Sequence, residues 1–230
     1  MNTTARTFIP VLPDHPSYAG QATYTSRFLR IYDPFVVRFS GRFVYRCPSG
    51  LIRRLYDRNV GDRHLDLGPG SGYFLDRCRF AGEWPDLTLV DLNPDVLRYA
   101  AHRLRRYTPR TVQADVLQPL PLEPGGFDSI GMNYLLHCVP GTMAEKSGIF
   151  PGLARLLARG GVLFGSTAVN EGGSHGWLAR RLVPLYNRNG ILSNDGDSVS
   201  DLETGLRRTF RTVTVERRGS IALFVARDPR

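Results

Sequence analysis

The chain has 230 residues, 42% hydrophobic and 22% charged, enough for one core and too apolar for a disordered tail protein. No apolar run approaches the roughly 18 residues that cross a bilayer, and the opening MNTTARTFIPVLPDHPSYAG lacks a basic stretch followed by an apolar one, so a cytoplasmic protein is expected. Thirty Lys+Arg against 21 Asp+Glu give +9, which invites a nucleic-acid partner, but Lys146 is the only lysine and the arginine pairs (Arg53-Arg54, Arg105-Arg106, Arg180-Arg181, Arg207-Arg208, Arg217-Arg218) are scattered, so a solvated basic surface is expected instead.

Residues 27–58 are apolar, aromatic and arginine-rich, broken by Pro34, Gly41 and Pro48 into two or three expected helices. With the residues before them they read as an N-terminal arm and helical cap, 1–58, laid over the ligand edge of a main domain, 59–230. From about residue 62 short apolar runs alternate with helical spacing: RHLDLG, LTLVDL, TVQAD, FDSIGMN and GGVLFGSTAV read as strands, and 72–79, 94–106 and 142–157 as helices. Pro94 suits a first helical turn with Asn93 as its cap. That alternation predicts an α/β fold with a mainly parallel sheet. Residues 170–198 form a long insertion, expected to act as a second cap. LETGLRRTF then reads as a helix, and RTVTVERR and GSIALFVAR as a hairpin turning at Gly219. The sum is seven strands with an antiparallel last one and helices on both faces.

The most informative segment is His64-Leu65-Asp66-Leu67-Gly68-Pro69-Gly70-Ser71-Gly72. A strand runs into a loop whose glycines allow close backbone approach to a ligand, ahead of a helix with free N–H groups. The dinucleotide pattern GxGxxG would need glycine where Tyr73 stands, and a P-loop would need a Gly-Lys pair. Asp91 ends the next strand, where a carboxylate can accept from both ribose hydroxyls, or cap the helix that follows. Asp115 follows the third strand and can accept from an adenine amine, with the Val116 N–H facing a ring nitrogen, or can simply begin a turn. Asn133 ends the fourth, with contact expected through its backbone. Four consecutive strand ends thus bring polar groups to one edge of the sheet.

In these motifs (HLDLGPGSG, LTLVDLNPDVL, QADVLQPLPLEPGGFDSI, NYLLHCVPG and LLARGGVLFGST) the sequence resembles the class I S-adenosylmethionine-dependent methyltransferases over about 60–226, and among them the small-molecule enzymes of biosynthetic pathways. The resemblance implies a Rossmann-like fold, S-adenosylmethionine as cofactor and S-adenosylhomocysteine as product. It implies Gly68, Gly70 and Gly72, with Pro69 between them, along the methionine part, Asp66 on the loop and the ammonium, Asp91 and Leu92 at the ribose, and Asp115 at the adenine. Pro69 departs from the usual Gly, Cys or Ala and removes one N–H. Tyr32, before Asp33, resembles the tyrosine that covers the cofactor.

For the acceptor, His137 stands just past the fourth strand as a candidate general base; the duller alternative is a histidine that bonds nearby backbone and shapes its loop. Walls of an acceptor pocket are expected from Tyr24 and Tyr134, from Trp177, Tyr186 and Asn187 in the insertion, and from the cap aromatics Tyr32, Phe35, Phe39, Phe43 and Tyr45. Cys47, Cys78 and Cys138 are read as reduced thiols, and no metal-ligand spacing is present. The function expected is methyl transfer to O, N or C of a small metabolite such as a polyketide, with a small-molecule acceptor as partner and a homodimer left open. The same fold could instead use the cofactor without turnover in a cyclisation. Nucleic-acid methylation is disfavoured because MNYLLH lacks the Asn/Asp-Pro-Pro-aromatic signature that grips a flipped base.

Overall fold

A computed structural model describes residues 8–22, 24–25, 29, 33, 44–170, 184–185 and 187–230. The strands are β1 (Arg63–Leu67), β2 (Asp86–Asp91), β3 (Arg110–Gln113), β4 (Phe127–Asn133), β5 (Leu157–Ala168), β6 (Phe210–Arg218) and β7 (Ile221–Pro229). They form one sheet in the order β3-β2-β1-β4-β5-β7-β6. The first five run parallel, and β7 lies antiparallel to both β5 and β6. The hairpin turns on Gly219 and Ser220, and Gly219 takes a φ of 60°.

The two faces of the sheet follow from strand period two. Leu65 and Leu67 of β1, Val90 of β2, Ile130 and Met132 of β4 and Leu163 of β5 join one core with the helices Phe150–Leu156 and Val199–Thr209. Leu89, Val162 and Phe164 point the other way, onto the helices Ser49–Asn59, Tyr73–Arg77 and Pro94–Arg103. On that second face β1 offers His64 and Asp66 in place of hydrophobes. Their burial is stabilised by a closed set of bonds: Tyr56 Oη donates to Asp66 Oδ2 at 2.7 Å, His64 Nε2 lies 3.2 Å from the same oxygen, and His64 Nδ1 lies 2.7 Å from Ser129 Oγ.

The helices differ from expectation mainly at their ends. The first after β1 stops at Arg77. Asn93 caps Pro94–Arg103 by accepting from the Asp95 N–H at 2.8 Å, and the stretch then tightens into a 3₁₀ turn, Arg105–Tyr107. The stretch 142–157 is not one helix. It opens at Thr142 with a reciprocal capping box to Glu145, runs Met143–Lys146, tightens over Ser147–Ile149 and restarts at Phe150, because Pro151 has no N–H for the Ser147 carbonyl.

The N-terminal region also sits differently. Ser49–Asn59, expected at the ligand edge, lies against the sheet face, with Ile52 and Tyr56 in the second core. At the ligand edge stand Ser17, Gly20, Gln21 and Tyr24, around the short helix Tyr18–Ala22, while residues 26–28, 30–32 and 34–43 of the expected cap lie outside the described residues. Among the described residues no helix is long and apolar enough to cross a membrane. The arginines are spread over separate ion pairs: Arg63 with Asp128 at 2.6 Å, Arg106 with Asp76 at 2.6 Å, Arg103 with Asp33 at 2.7 Å and Arg207 with Glu203 at 2.7 Å.

Candidate functional site

Strand order reverses between β2-β1 and β4-β5, and at such a switch point the loops leaving the strands diverge and open a crevice. A cavity of about 800 Å³, part of it open to solvent, lies there. Its floor is Leu67, Gly68 and Gly70 after β1, Val90, Asp91, Leu92 and Asn93 after β2, Ala114, Asp115 and Val116 after β3, and Asn133 at the end of β4.

The glycine loop is built as its sequence demands. Gly68, Gly70 and Gly72 all have positive φ, 65°, 54° and 72°, a region costly for side-chain-bearing residues. A Cβ on Gly68 would stand 2.9 Å from Leu135 Cδ1, so the loop after β4 closes directly onto it. Pro69 belongs to the turn, its carbonyl accepting from Gly72 N–H at 2.8 Å, and Gly72 starts the following helix; neither lines the cavity. Ser71 Oγ donates to Asp33, whose other oxygen takes Arg103 Nη2 at 2.7 Å, so the residue next to Tyr32 is tied to this loop. Asp66 stands beneath the loop, buried with Tyr56 and His64 and absent from the cavity wall.

The two carboxylates both line the cavity. Asp91 Oδ1 accepts from Asn93 N–H at 2.7 Å, and the desolvation of its position pushes its pKa up to about 7, only partly offset by that bond and by the Leu92 amide. Asp115 begins a turn by accepting from Leu117 N–H at 2.9 Å and also faces His15 Nε2 at 3.6 Å. The two readings of these aspartates, turn or cap builder and ligand contact, are therefore compatible, and the helix cap belongs to Asn93.

Asn133 carries the least expected feature. It is 7% exposed, and neither Oδ1 nor Nδ2 makes a well-formed hydrogen bond to a described residue; the neighbouring Tyr56 hydroxyl donates to Asp66 and leaves the amide only a weak interaction with its oxygen. An amide shut off from water with nothing to bond costs about 1–3 kcal/mol. Tyr134, next in sequence, has φ 56°, a strained value for an aromatic residue. From the sequence only backbone contact is expected at Asn133, and nothing in the local pattern signals a role for its side-chain amide.

Tyr24 and Tyr134 line the cavity, with Leu135, Cys138 and Val139 beside them. His137 does not. The 3₁₀ turn Leu136–Cys138 swings it under the loop, 4% exposed, where its Nδ1 accepts from Ala168 N–H at 3.1 Å and lies 3.3 Å from Thr167 Oγ1. Burial, with a smaller contribution from Lys146, lowers its pKa to about 3, and its proton sits on Nε2 while Nδ1 is bonded. In this position it anchors the loop and offers no base to the cavity, which corrects the general-base expectation. Cys138 is held protonated, burial pushing its thiol up to about 11. Asn187 lies away from the cavity and bonds Asn194 through both amide atoms. Tyr32, Phe35, Phe39, Phe43, Trp177 and Tyr186 fall outside the described residues.

What sequence reasoning missed is the roof. Ser17, Gly20, Gln21 and Tyr24 close the cavity from above. Gly20 sits where a Cβ would come within 2.7 Å of the Cys138 carbonyl oxygen, and Asn93 Nδ2 donates to the Gln21 and Tyr24 carbonyls at 2.9 and 3.2 Å. A five-residue helix among prolines leaves no periodic trace; the only signal was the glycine in YAGQA.

Among the described residues no group of three or more His, Cys, Asp or Glu could hold a metal ion. The site fits an adenosyl amino acid on three counts: separate carboxylates under two strand ends, a side-chain-free cradle after the first, and an orphaned amide opposite that cradle.

Comparison with known proteins agrees. Residues 65–165 match the family model described as a methyltransferase domain. The chain is 38% identical to demethylluteothin O-methyltransferase of Streptomyces thioluteus over 226 residues, 98% of each protein. It is 35% identical to a physcion biosynthesis cluster O-methyltransferase of Aspergillus chevalieri over 220 residues, 94% of this chain and 97% of that one. Its fold is similar to that of the N-methyltransferase NodS from Bradyrhizobium japonicum in complex with S-adenosyl-l-homocysteine (TM-score 0.56, 19% identity, 79% and 85% covered). The chain therefore belongs to the S-adenosylmethionine-dependent methyltransferases of class I fold.

Proposed function

We propose that the chain transfers a methyl group from S-adenosylmethionine to a hydroxyl oxygen of a small biosynthetic acceptor, the C–S bond breaking as the C–O bond forms, leaving S-adenosylhomocysteine and releasing the hydroxyl proton to solvent. The carrying observation is the orphaned Asn133 amide opposite the positive-φ glycine loop, in one cavity with Asp91 and Asp115. The near full-length likeness to two O-methyltransferases favours oxygen over nitrogen or carbon, and methyl transfer over cofactor-assisted cyclisation.

When bound, the cofactor supplies an electrophilic methyl group that carries its own leaving group. The chain's part is to hold, orient and dry. Asp91 would accept the ribose hydroxyls with Leu92 beside them, and Asp115 with the Val116 amide would take the adenine edge. Gly68 and Gly70 would pass along the methionine part, with Asn133 offering its amide to the amino-acid end. Asp66 would act from below by fixing β1 where the loop begins. Tyr24, Tyr134, Leu135, Cys138 and Val139 leave an apolar wall for the acceptor, suited to an aromatic or polyketide-like phenol. Excluding water and aligning the two partners supplies rate without covalent help. Residues 171–183 and 186 of the expected second cap lie outside the described residues.

Isothermal titration with S-adenosylmethionine, S-adenosylhomocysteine and NADH tests the cofactor; micromolar binding of the first two alone is expected. Incubation with methyl-labelled cofactor and a panel of phenolic polyketides then tests the reaction. Label on oxygen is expected, and an isomerised, unlabelled product would replace transfer with cyclisation.

A further inference from the structure

We infer that Asn93 is a positioning residue that latches the arm over the cofactor site and joins that closure to the Asp91 carboxylate, an inference that rests on the function proposed above. A helix cap needs one side-chain oxygen, and Asn93 Oδ1 provides it to Asp95 N–H at 2.8 Å. Serine or aspartate would serve that purpose equally. The amide nitrogen exceeds the requirement, and both of its hydrogens go to the arm, to Gln21 O at 2.9 Å and Tyr24 O at 3.2 Å. The backbone N–H of the same residue goes to Asp91 Oδ1 at 2.7 Å. One residue, 7% exposed, thus touches the roof, the carboxylate and the helix behind them.

The far side of the roof bears on the acceptor loop. Gly20 admits no side chain against the Cys138 carbonyl, and Tyr24 Oη lies 4.0 Å from Cys138 Sγ. The roof therefore spans the cavity from the Asp91 side to the acceptor side, and Asn93 holds one end of it. Gln113 exchanges bonds with the Ile9 backbone farther out, so the arm stays attached when the latch opens. Gln21 and Tyr24 both line the cavity, so on this inference the two amide bonds hold the roof over a bound ligand and their breaking widens its way in and out.

Kinetics separate a latch from a ligand contact: loss of a contact speeds dissociation alone, whereas loss of a latch speeds both directions. Asn93→Ser keeps a capping oxygen and drops the amide. We expect stopped-flow binding of S-adenosylhomocysteine to Asn93→Ser to show association and dissociation each faster by on the order of tenfold, the effect of two hydrogen bonds. Hydrogen exchange at the amides of residues 20–25 in the ligand-free protein should quicken in step. Faster dissociation with unchanged association, or unchanged exchange in residues 20–25, would overturn the latch. If Asn93→Ser does not fold, Asn93→Asp keeps the shape and the cap and is judged by the exchange measurement alone. A wild-type chain that does not bind S-adenosylhomocysteine would overturn the cofactor reading instead, and the exchange data would still decide whether Asn93 holds the arm.

Discussion

Two sets of buried polar groups lie within reach of the cavity, and they are treated oppositely. Behind the acceptor loop buried groups find partners: Lys146, fully buried, donates to Asp197 Oδ2 at 2.7 Å and to the Ser193 carbonyl, Ser193 N–H donates to the His137 carbonyl at 2.7 Å, and Asn194 Nδ2 donates to the Ala168 carbonyl at 3.3 Å. On the cavity floor the Asn133 amide makes no well-formed hydrogen bond among the described residues, and Asp91 is held in surroundings that disfavour its charge. Matched groups hold a shape, whereas unmatched groups wait for something to bind. The first set clamps residues 193–197 to the loop bearing His137; the second lies where the proposed function puts the cofactor.

The largest effect is expected where a matched pair is cut. Lys146→Met leaves the Asp197 carboxylate buried without its cation, which should cost about 3–5 kcal/mol of unfolding free energy, read by urea denaturation. Affinity for S-adenosylhomocysteine at a temperature where the variant is folded should stay within about threefold of wild type, since the pair lies outside the cofactor floor. A large loss of cofactor affinity would erase the distinction between the two sets.

Cutting a group of the cavity floor should act the other way. Asp91→Asn is expected to weaken S-adenosylhomocysteine binding by about 2 kcal/mol, the loss of charge-assisted bonds to the ribose, measured by titration calorimetry. The ligand-free protein should melt higher than wild type at pH 8. A carboxyl with its folded pKa raised to about 7 favours the fold while protonated and loses that contribution as pH rises toward and through 7, so removing the ionisable group removes the loss. Binding in the wild type should weaken by up to about tenfold from pH 8 to pH 6, as protonation of Asp91 competes with the ribose, and Asp91→Asn should abolish that dependence. Asn133→Ala should follow the same pattern more mildly: about 1 kcal/mol weaker binding, with the melting temperature of the ligand-free protein unchanged or raised because two unbonded polar atoms are gone. A fall in melting temperature without loss of affinity would return Asn133 to a structural role.

The matched and unmatched sets were not equally legible in the sequence. Asp91 and Asp115 sit at the ends of short apolar runs, and the alternation that reveals those runs also fixes which end opens onto the ligand edge. The glycine loop announces itself because Gly68, Gly70 and Gly72 all take backbone angles that other residues avoid. The Lys146–Asp197 pair spans 51 residues and the Asn93–Gln21 bond 72, and separations of that kind leave no local pattern. The arm was hidden for the same reason: Pro10, Pro13 and Pro16 suppress any periodicity, and its contacts with Gln113, Asp115 and Asn93 are all long-range. His137 was a failure of a different kind. Its position after β4 was right, but adjacency in sequence does not say which way a side chain points, and a single 3₁₀ turn sent it toward Thr167 and Ala168.

His137 therefore provides the smallest and most discriminating of these tests. If it belongs to the matched set, what matters is an acceptor atom facing Ala168 N–H, and asparagine can place Oδ1 there. His137→Asn should leave turnover within about threefold of wild type, where loss of a general base would lower it by about 10² or more. His137→Leu should cost about 1–3 kcal/mol of stability by stranding that N–H, again with little change in cofactor affinity. The two substitutions separate the roles because only one of them supplies an acceptor and neither supplies a base. Equal and large losses of turnover in both, with the fold intact, would mean that the loop reorganises on acceptor binding and brings the imidazole into the cavity.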